Sequence, residues 1–164
     1  MHRRNRQARR PWIERASDSL PIDDCVIFLL GKAFQRVTQG ARARLAPHGI
    51  SPVQYVVLSA LWERDGQSGA ELTARLRIDS ATITGIIDRL VAAGMANRIA
   101  DTKDRRVQRV HLTKAGKSLR RPLENAMIDL NCEIAGQLGN RAENFWSMLA
   151  TVGASAADDE ARKP

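Results

Sequence analysis

Two short runs hold the side chains whose chemistry is most suggestive. In SATITGIIDRL, residues 80–90, Ile83, Ile86, Ile87 and Leu90 fall at i, i+3, i+4 and i+7, the spacing of one buried helical stripe. The opposite face carries Ser80, Ala81, Thr82, Thr84, Gly85, Asp88 and Arg89, which are small or hydrogen-bonding groups with no bulk to hold a helix away from a surface. Such a face can enter a major groove, where hydroxyl and guanidinium groups reach base edges or phosphates. The second run, Asp101-Thr102-Lys103-Asp104-Arg105-Arg106, is too polar for a core and too charged for a simple tight turn, so it is expected as an exposed hairpin tip.

These runs need elements to position them. Ser68 with Glu71 three residues on is a capping box, and Leu72 and Leu76 give the short helix after it one apolar face. Arg77-Ile78-Asp79 is a tight turn, and Asp79 or Ser80 caps the helix that bears the hydroxyl face, which Gly94 ends. Beyond Gly94 the apolar period shortens toward two, with Val110 and Leu112 on one side of a strand and Arg109 and His111 on the other. Helix, turn, helix and basic hairpin make a winged helix over residues 51–113. The fold class expected is mainly α with a small β wing, flanked by further helices.

The flanks are apolar on one side as well. From Pro21 at the first helical position, with Asp23 and Asp24 in the first turn, a helix runs to about residue 46 with Val26, Ile27, Leu30, Phe34 and Val37 as its stripe. Ser51-Pro52 starts a second helix with Tyr55, Val56, Leu58, Leu61 and Trp62 mostly inward, ended by Asp65-Gly66. Thr113 caps a long helix whose Leu119, Leu123, Met127, Leu130, Ile134 and Leu138 form a seam that a single chain has little to cover. Asn140 with Glu143 is a second capping-box variant, opening a last helix through Trp146 and Val152 within the stretch 114–153. Residues 1–20 are expected to form a basic arm with a short additional segment, and 154–164 a disordered tail.

With 164 residues and a net charge of +8, the chain is one domain in size and basic. Six arginines within the first 15 residues face only Glu14, and Arg98, Lys103, Arg105, Arg106 and Arg109 outnumber Asp101 and Asp104, so the surplus sits on arm and wing. That distribution favours a polyanionic partner. Cys25 and Cys132 are far apart and make neither a disulfide framework nor a metal spacing, and His2, His48 and His111 form no ligand set. No Gly-rich phosphate loop or nucleophile motif is present, so no enzyme, cofactor or metal is expected. The apolar run from Cys25 to Leu30 is far too short to span a bilayer and no apolar leader region follows the Arg-rich N-terminus, so a cytoplasmic protein without a membrane partner is expected.

The strings DRLVAAGMANR and DTKDRRVQRVHLTKAG resemble the MarR family of bacterial DNA-binding regulators, closely over about 50 residues and loosely from Leu20 to Val152. The resemblance implies a homodimer whose first and last helices form the interface. It further implies that the dimer represses or activates transcription from a double-stranded operator, most often as a repressor, and answers to a small ligand or oxidant. It assigns Arg106 to the minor groove and Asp104 to holding the wing in shape. Lys103 and Arg105 become phosphate partners, and Ser80, Thr82, Thr84 and Arg89 contacts to bases or phosphates, with the role of each threonine open. Gly85 departs from the pattern, which commonly has a substantial side chain there, and we read it as a missing base contact.

For the effector, Phe34, His48, Tyr55 and Trp62 come from segments that in the family line a ligand cleft, although each alone is more often a core residue than a ligand contact. Trp12, Asp65 and Arg98 resemble the set of a urate-responsive branch; aromatic carboxylates and their coenzyme A thioesters fit as well. An anionic aromatic needs a cation, for which Arg98 and Arg44 are the candidates. Cys25 invites an oxidant-sensing alternative, yet it is offset from the family's sensor position, and Asp23 and Asp24 beside it oppose a thiolate. A rival of another class is a winged-helix module that docks on protein and never reads DNA, which an apolar patch at Thr82, Thr84 and Arg106 would favour.

Overall fold

The computed structural model describes residues 21–154. Trp12, the basic arm and residues 155–164 lie outside the described residues. Two compact units are distinguished, Met1–Gly40 and Ala41–Pro164. Helix α1 spans Val26–Leu45, α2 Pro52–Glu63, strand β1 Gln67–Ser68, α3 Gly69–Leu76 and α4 Ser80–Ala92. Strands β2 (Ala96–Ala100) and β3 (Gln108–Leu112) follow, then α5 (Lys114–Ser118), α6 (Arg120–Leu138) and α7 (Ala142–Gly153).

The second unit is built around α4. Its predicted stripe is the centre of the core: Ile83, Ile86, Ile87 and Leu90 are all buried, each contributing roughly 1.5–3 kcal/mol by leaving water. Leu45, Leu58, Leu61, Leu72, Val110, Leu112, Leu123 and Leu130 close around them. The order α3, turn, α4 and then an antiparallel hairpin is a winged helix-turn-helix. Arg77 bends the turn from the left-handed region at φ 53°, a conformation that ends α3 within one residue.

The sheet has three strands in the order β1-β3-β2, all antiparallel, with Ala96 opposite Leu112 and Ala100 opposite Gln108. Strand β1, only two residues long, is absent from the sequence reading because no periodicity shows in two residues. Its Gln67 is buried, and its amide nitrogen donates at 2.7 Å to the Arg64 carbonyl just past the end of α2 and to the Ala60 carbonyl, which also accepts from the Arg64 N–H.

Several local expectations are corrected. The first helix does not start at Pro21: Ile22–Asp24 make a 3-10 turn, Cys25 is extended at ψ 114°, and the α-helical ladder opens with the Leu29 N–H donating to the Cys25 carbonyl. In α2 the inward positions are Val57, Leu58, Ala60 and Leu61, while Val56 is exposed. The helix capped by Thr113 is two helices joined at Leu119, since Pro122 has no N–H to donate and its ring crowds the carbonyl of Ser118. Asn140 caps nothing, because it lies inside a 3-10 turn, Gly139–Arg141, and lacks the extended backbone of a cap.

The seam of α6 is also covered within the chain: Leu123 and Leu130 are buried and Leu119, Met127 and Ile134 pack against the core. Bare apolar surface lies elsewhere. Among the described residues of the first unit none is buried, and Ile27 and Phe34 are 80% and 72% exposed. Helix α7 likewise buries no residue, leaving Trp146, Met148, Leu149 and Val152 open.

Candidate nucleic-acid interface

Three capping interactions fix the reading head locally. Ser68 and Glu71 form the expected reciprocal box at the start of α3, with Glu71 Oε2 accepting from the Ser68 N–H at 2.8 Å. That backbone bond, more than the nearby cations Arg64 and Arg109, holds the Glu71 carboxyl below its ordinary range. At α4 the cap is Asp79 and not Ser80, its Oδ1 accepting from the Thr82 N–H at 2.8 Å. Hydrogen bonds from the side chain and then the backbone of Thr82 lower the Asp79 pKa. Thr113 caps α5 by accepting from the Gly116 N–H at 3.1 Å and donates its own hydroxyl to the Gly94 carbonyl at 2.7 Å, so the end of α4 and the start of α5 share one side chain.

With the stripe buried, the other face of α4 is left to solvent: Ser80, Ala81, Thr82, Thr84, Asp88 and Arg89 are exposed. The Thr84 hydroxyl donates to the Ser80 carbonyl at 2.8 Å and turns its oxygen outward as an acceptor. Gly85 is half-buried on the same face, and a Cβ added there would meet nothing within 4 Å. The space for a side chain exists. The glycine is therefore no packing requirement of the free protein.

The wing closes through Asp101 N–H to Val107 carbonyl and Val107 N–H to Asp104 carbonyl, both 2.9 Å. Lys103, Arg105 and Arg106 project from it, and the Arg106 side chain is 91% exposed. Asp104 orients it by accepting from the Arg106 backbone N–H at 3.0 Å and from Nε at 3.1 Å. The guanidinium is the larger cause of the lowered Asp104 pKa and the backbone bond the smaller.

Sequence reasoning missed the residues at the root of the wing. Asp101, whose side chain is 11% exposed, accepts from the Lys103 and Asp104 N–H groups at 2.7 and 3.2 Å and pairs with Arg109 Nε through its other oxygen. The Arg109 hydrogen bond, followed by those two N–H groups, brings the Asp101 carboxyl down to about 2. Arg109 Nη1 donates to the Gly66 carbonyl at 2.9 Å and to Glu71 Oε2 at 3.2 Å. No short-range signal announces an eight-residue separation closed by a hairpin; only the strand register brings it together.

The proposed effector residues are dispersed among structural roles. Tyr55 and Trp62 meet edge to face at 6.1 Å, and Trp62 Nε1 donates to the Gly116 carbonyl at 3.0 Å. Gly116 is needed there, since any Cβ would overlap the Met95 carbonyl. Asp65 accepts from the Leu112 and Gly66 N–H groups at 2.8 and 3.1 Å, with Lys117 Nζ 3.5 Å from its other oxygen. Arg98 is on β2 and its Nη1 donates to Asp88 on α4 at 2.5 Å. His48 is half-buried in the turn after α1, Phe34 is exposed on α1, and Arg44 pairs with Glu133 at 2.6 Å. Cys25 is half-buried at the break before α1 and Cys132 is exposed on α6. Among the described residues no group of three or more His, Cys, Asp or Glu is placed to hold a metal ion, and no helix is long and apolar enough to cross a membrane.

Comparison with known proteins places this geometry. The MarR family profile matches residues 50–107, the span from the turn before α2 to the wing. The HTH-type transcriptional regulator TtmR of Methylorubrum extorquens is 35% identical over 103 residues, 63% of this chain and 53% of TtmR, so the chain spans about half the length of that curated relative. A probable transcriptional regulator from Pseudomonas aeruginosa superposes with a TM-score of 0.76 at 28% identity, covering 80% of this chain and 99% of that one. The transcriptional repressor CouR, bound to a 23-mer DNA duplex, superposes at 0.71 with 26% identity over 83% of this chain and 99% of its own. Capped helix-turn-helix, hydroxyl-bearing α4 and acid-braced wing arginine thus all lie within residues 50–107, the span that matches the MarR family.

Proposed function

We propose that this protein is a homodimeric transcriptional repressor that binds a pseudo-palindromic duplex operator in the cytoplasm through α4 and the wing of each subunit. The observation that carries the reading is the joint presentation, by one packed unit, of an exposed polar face on α4 and an exposed, acid-braced Arg106 on the wing. Ser80, Thr82, Thr84 and Arg89 contact bases or phosphates in the major groove, Lys103 and Arg105 phosphates, and Arg106 the minor groove. CouR, a repressor bound to a duplex, supports the DNA partner. The open apolar side chains of α1 and of α7 support dimerisation, because a monomer rarely leaves such faces to water.

An aromatic acid or thioester is the proposed release signal, with the Tyr55–Trp62 ring pair on α2 as its apolar wall and Arg98 as its cation. Because Arg98 is held by Asp88 of α4, an anion that recruits it acts directly on the helix proposed to read the groove. Trp12, His48, Asp65 and Phe34 are further candidates from the sequence. Titration of a labelled operator complex with urate, hydroxycinnamates and their coenzyme A thioesters tests this part, and release by peroxide alone, lost in Cys25→Ser, would overturn it.

The DNA reading is tested by selecting bound duplexes from a random pool and comparing wild type with Arg106→Ala across salt concentrations. Loss of a charge that displaces counterions flattens log K against log salt by about 0.9 per contact in each subunit. Thr82→Ala or Thr84→Ala leaves the slope alone and alters preference at one base pair by ~1–3 kcal/mol where that threonine meets a base. An unchanged affinity and slope in Arg106→Ala would remove the wing from the groove.

A further inference from the structure

Arg109 sits where three elements meet, and its contacts differ in kind from those of the other wing cations. Among the described residues Lys103 and Arg105 have no ion-pair partner, and Arg106 pairs only with Asp104, two residues away on the same tip. Arg109, on β3, points its fork the other way. Nε engages Asp101, the residue that collects the tip amides of Lys103 and Asp104, while Nη1 engages the Gly66 carbonyl ahead of β1 and Glu71 in the capping box of α3. A planar guanidinium can hold such partners at fixed angles, which a lysine point charge cannot.

The chain of contacts is continuous. Asp101 shapes the loop that carries Arg106, Arg109 ties Asp101 to Glu71, and Glu71 closes the first turn of α3, against which α4 packs. Nearer the core the hairpin is held by β1, which pairs with β3 at Val110 and Arg109, and by the Arg98–Asp88 ion pair to α4; beyond these the tip is carried by the β2–β3 ladder, and a two-stranded ribbon takes a larger twist than a broader sheet.

We propose that Arg109 is a positioning residue for DNA binding, fixing the angle of the wing so that Arg106 and the exposed face of α4 meet one duplex together. The proposal rests on the DNA-reading function inferred above. Arg109 itself need touch no nucleotide; it acts through Arg106.

A double-mutant cycle separates this from a general structural role. Wild type, Arg109→Gln, Arg106→Ala and the double variant are compared for duplex binding, with folding checked by thermal melting. Arg109→Gln weakens binding roughly tenfold and flattens the salt slope as Arg106→Ala does, and it adds little when Arg106 is already alanine. Full additivity of the two losses, or undiminished binding by Arg109→Gln, overturns the proposal. If Arg109→Gln does not fold, Asp101→Asn replaces it, since asparagine keeps an acceptor for the tip amides and forfeits the charged link; the same cycle and outcomes apply. Without DNA, backbone amides of Lys103 and Asp104 exchange faster in Arg109→Gln and at the wild-type rate in Arg106→Ala, and unchanged exchange in Arg109→Gln also overturns it. Failure of the wild type to bind any duplex sinks the functional reading instead, and the exchange measurement then still decides whether Arg109 holds the wing.

Discussion

Helices α6 and α7 adjoin in sequence and both carry apolar side chains at helical spacing, yet their fates differ. Leu123 and Leu130 of α6 are buried against α2 and the core, whereas α7 buries nothing and leaves Met148 59% and Val152 68% exposed. Periodicity states that a face prefers to leave water; it does not state which surface will receive it. Within the winged helix the receiving surface is intramolecular, so stability there is a property of the monomer. On α7 and the open part of α1 no such surface is present among the described residues, and the dimer proposed above is what would supply one.

Deleting the residues after Gly139 attacks that difference most strongly. Light scattering should then report a monomer, and operator affinity should fall by roughly 10²–10⁴-fold, the gain that a second linked reading head supplies. A truncated protein that binds its operator as a monomer at full affinity would break the comparison.

Leu90→Ala is the matching change on the covered side. It should cost about 2–5 kcal/mol, because Leu90 is wholly buried, and the loss should be the same at every protein concentration. Leu149→Asp should instead lower the melting temperature only at concentrations where the wild type is associated. Melting curves over a dilution series distinguish the two.

Gly85→Ala sharpens the contrast between α4 as core element and α4 as reading surface. With nothing within 4 Å of the added methyl, thermal stability should rise by about 0.5–1 kcal/mol through the unfolded chain's reduced freedom. If operator affinity is unchanged, position 85 makes no close approach to DNA. A loss of affinity would mean the backbone itself comes close there.

The smallest effect is confined to acid. In the folded protein Asp101 titrates at about 2, below its unfolded value, so its stabilisation is complete above pH ~4 and disappears as pH falls toward the folded pKa. Asp101→Asn should therefore be less stable than wild type near neutrality and converge with it between pH ~4 and ~2. Denaturant midpoints measured across that window check the sign.

Elements whose causes are local could be read directly from the order of residues. A capping box spans four residues and an α4 stripe two turns, and each was legible because no distant contact was needed to complete it, whereas the Asp104–Arg106 brace came from the family resemblance. Local pattern also misled where neighbours intervened. Asn140 and Glu143 have the spacing of a cap, yet the preceding 3-10 turn denies Asn140 the extended backbone, and Pro122 divides a seam that periodicity had drawn as one helix. Tertiary structure alone decided the rest: the register that sets Ile99 opposite Arg109 and closes the hairpin at Asp101, the guanidinium fork across Asp101, Gly66 and Glu71, the pairing of Arg98 with Asp88, and the covering of α6 while α7 stays open. Each joins residues that are strangers along the chain, and their proximity follows from how whole elements pack, which no window of adjacent residues encodes.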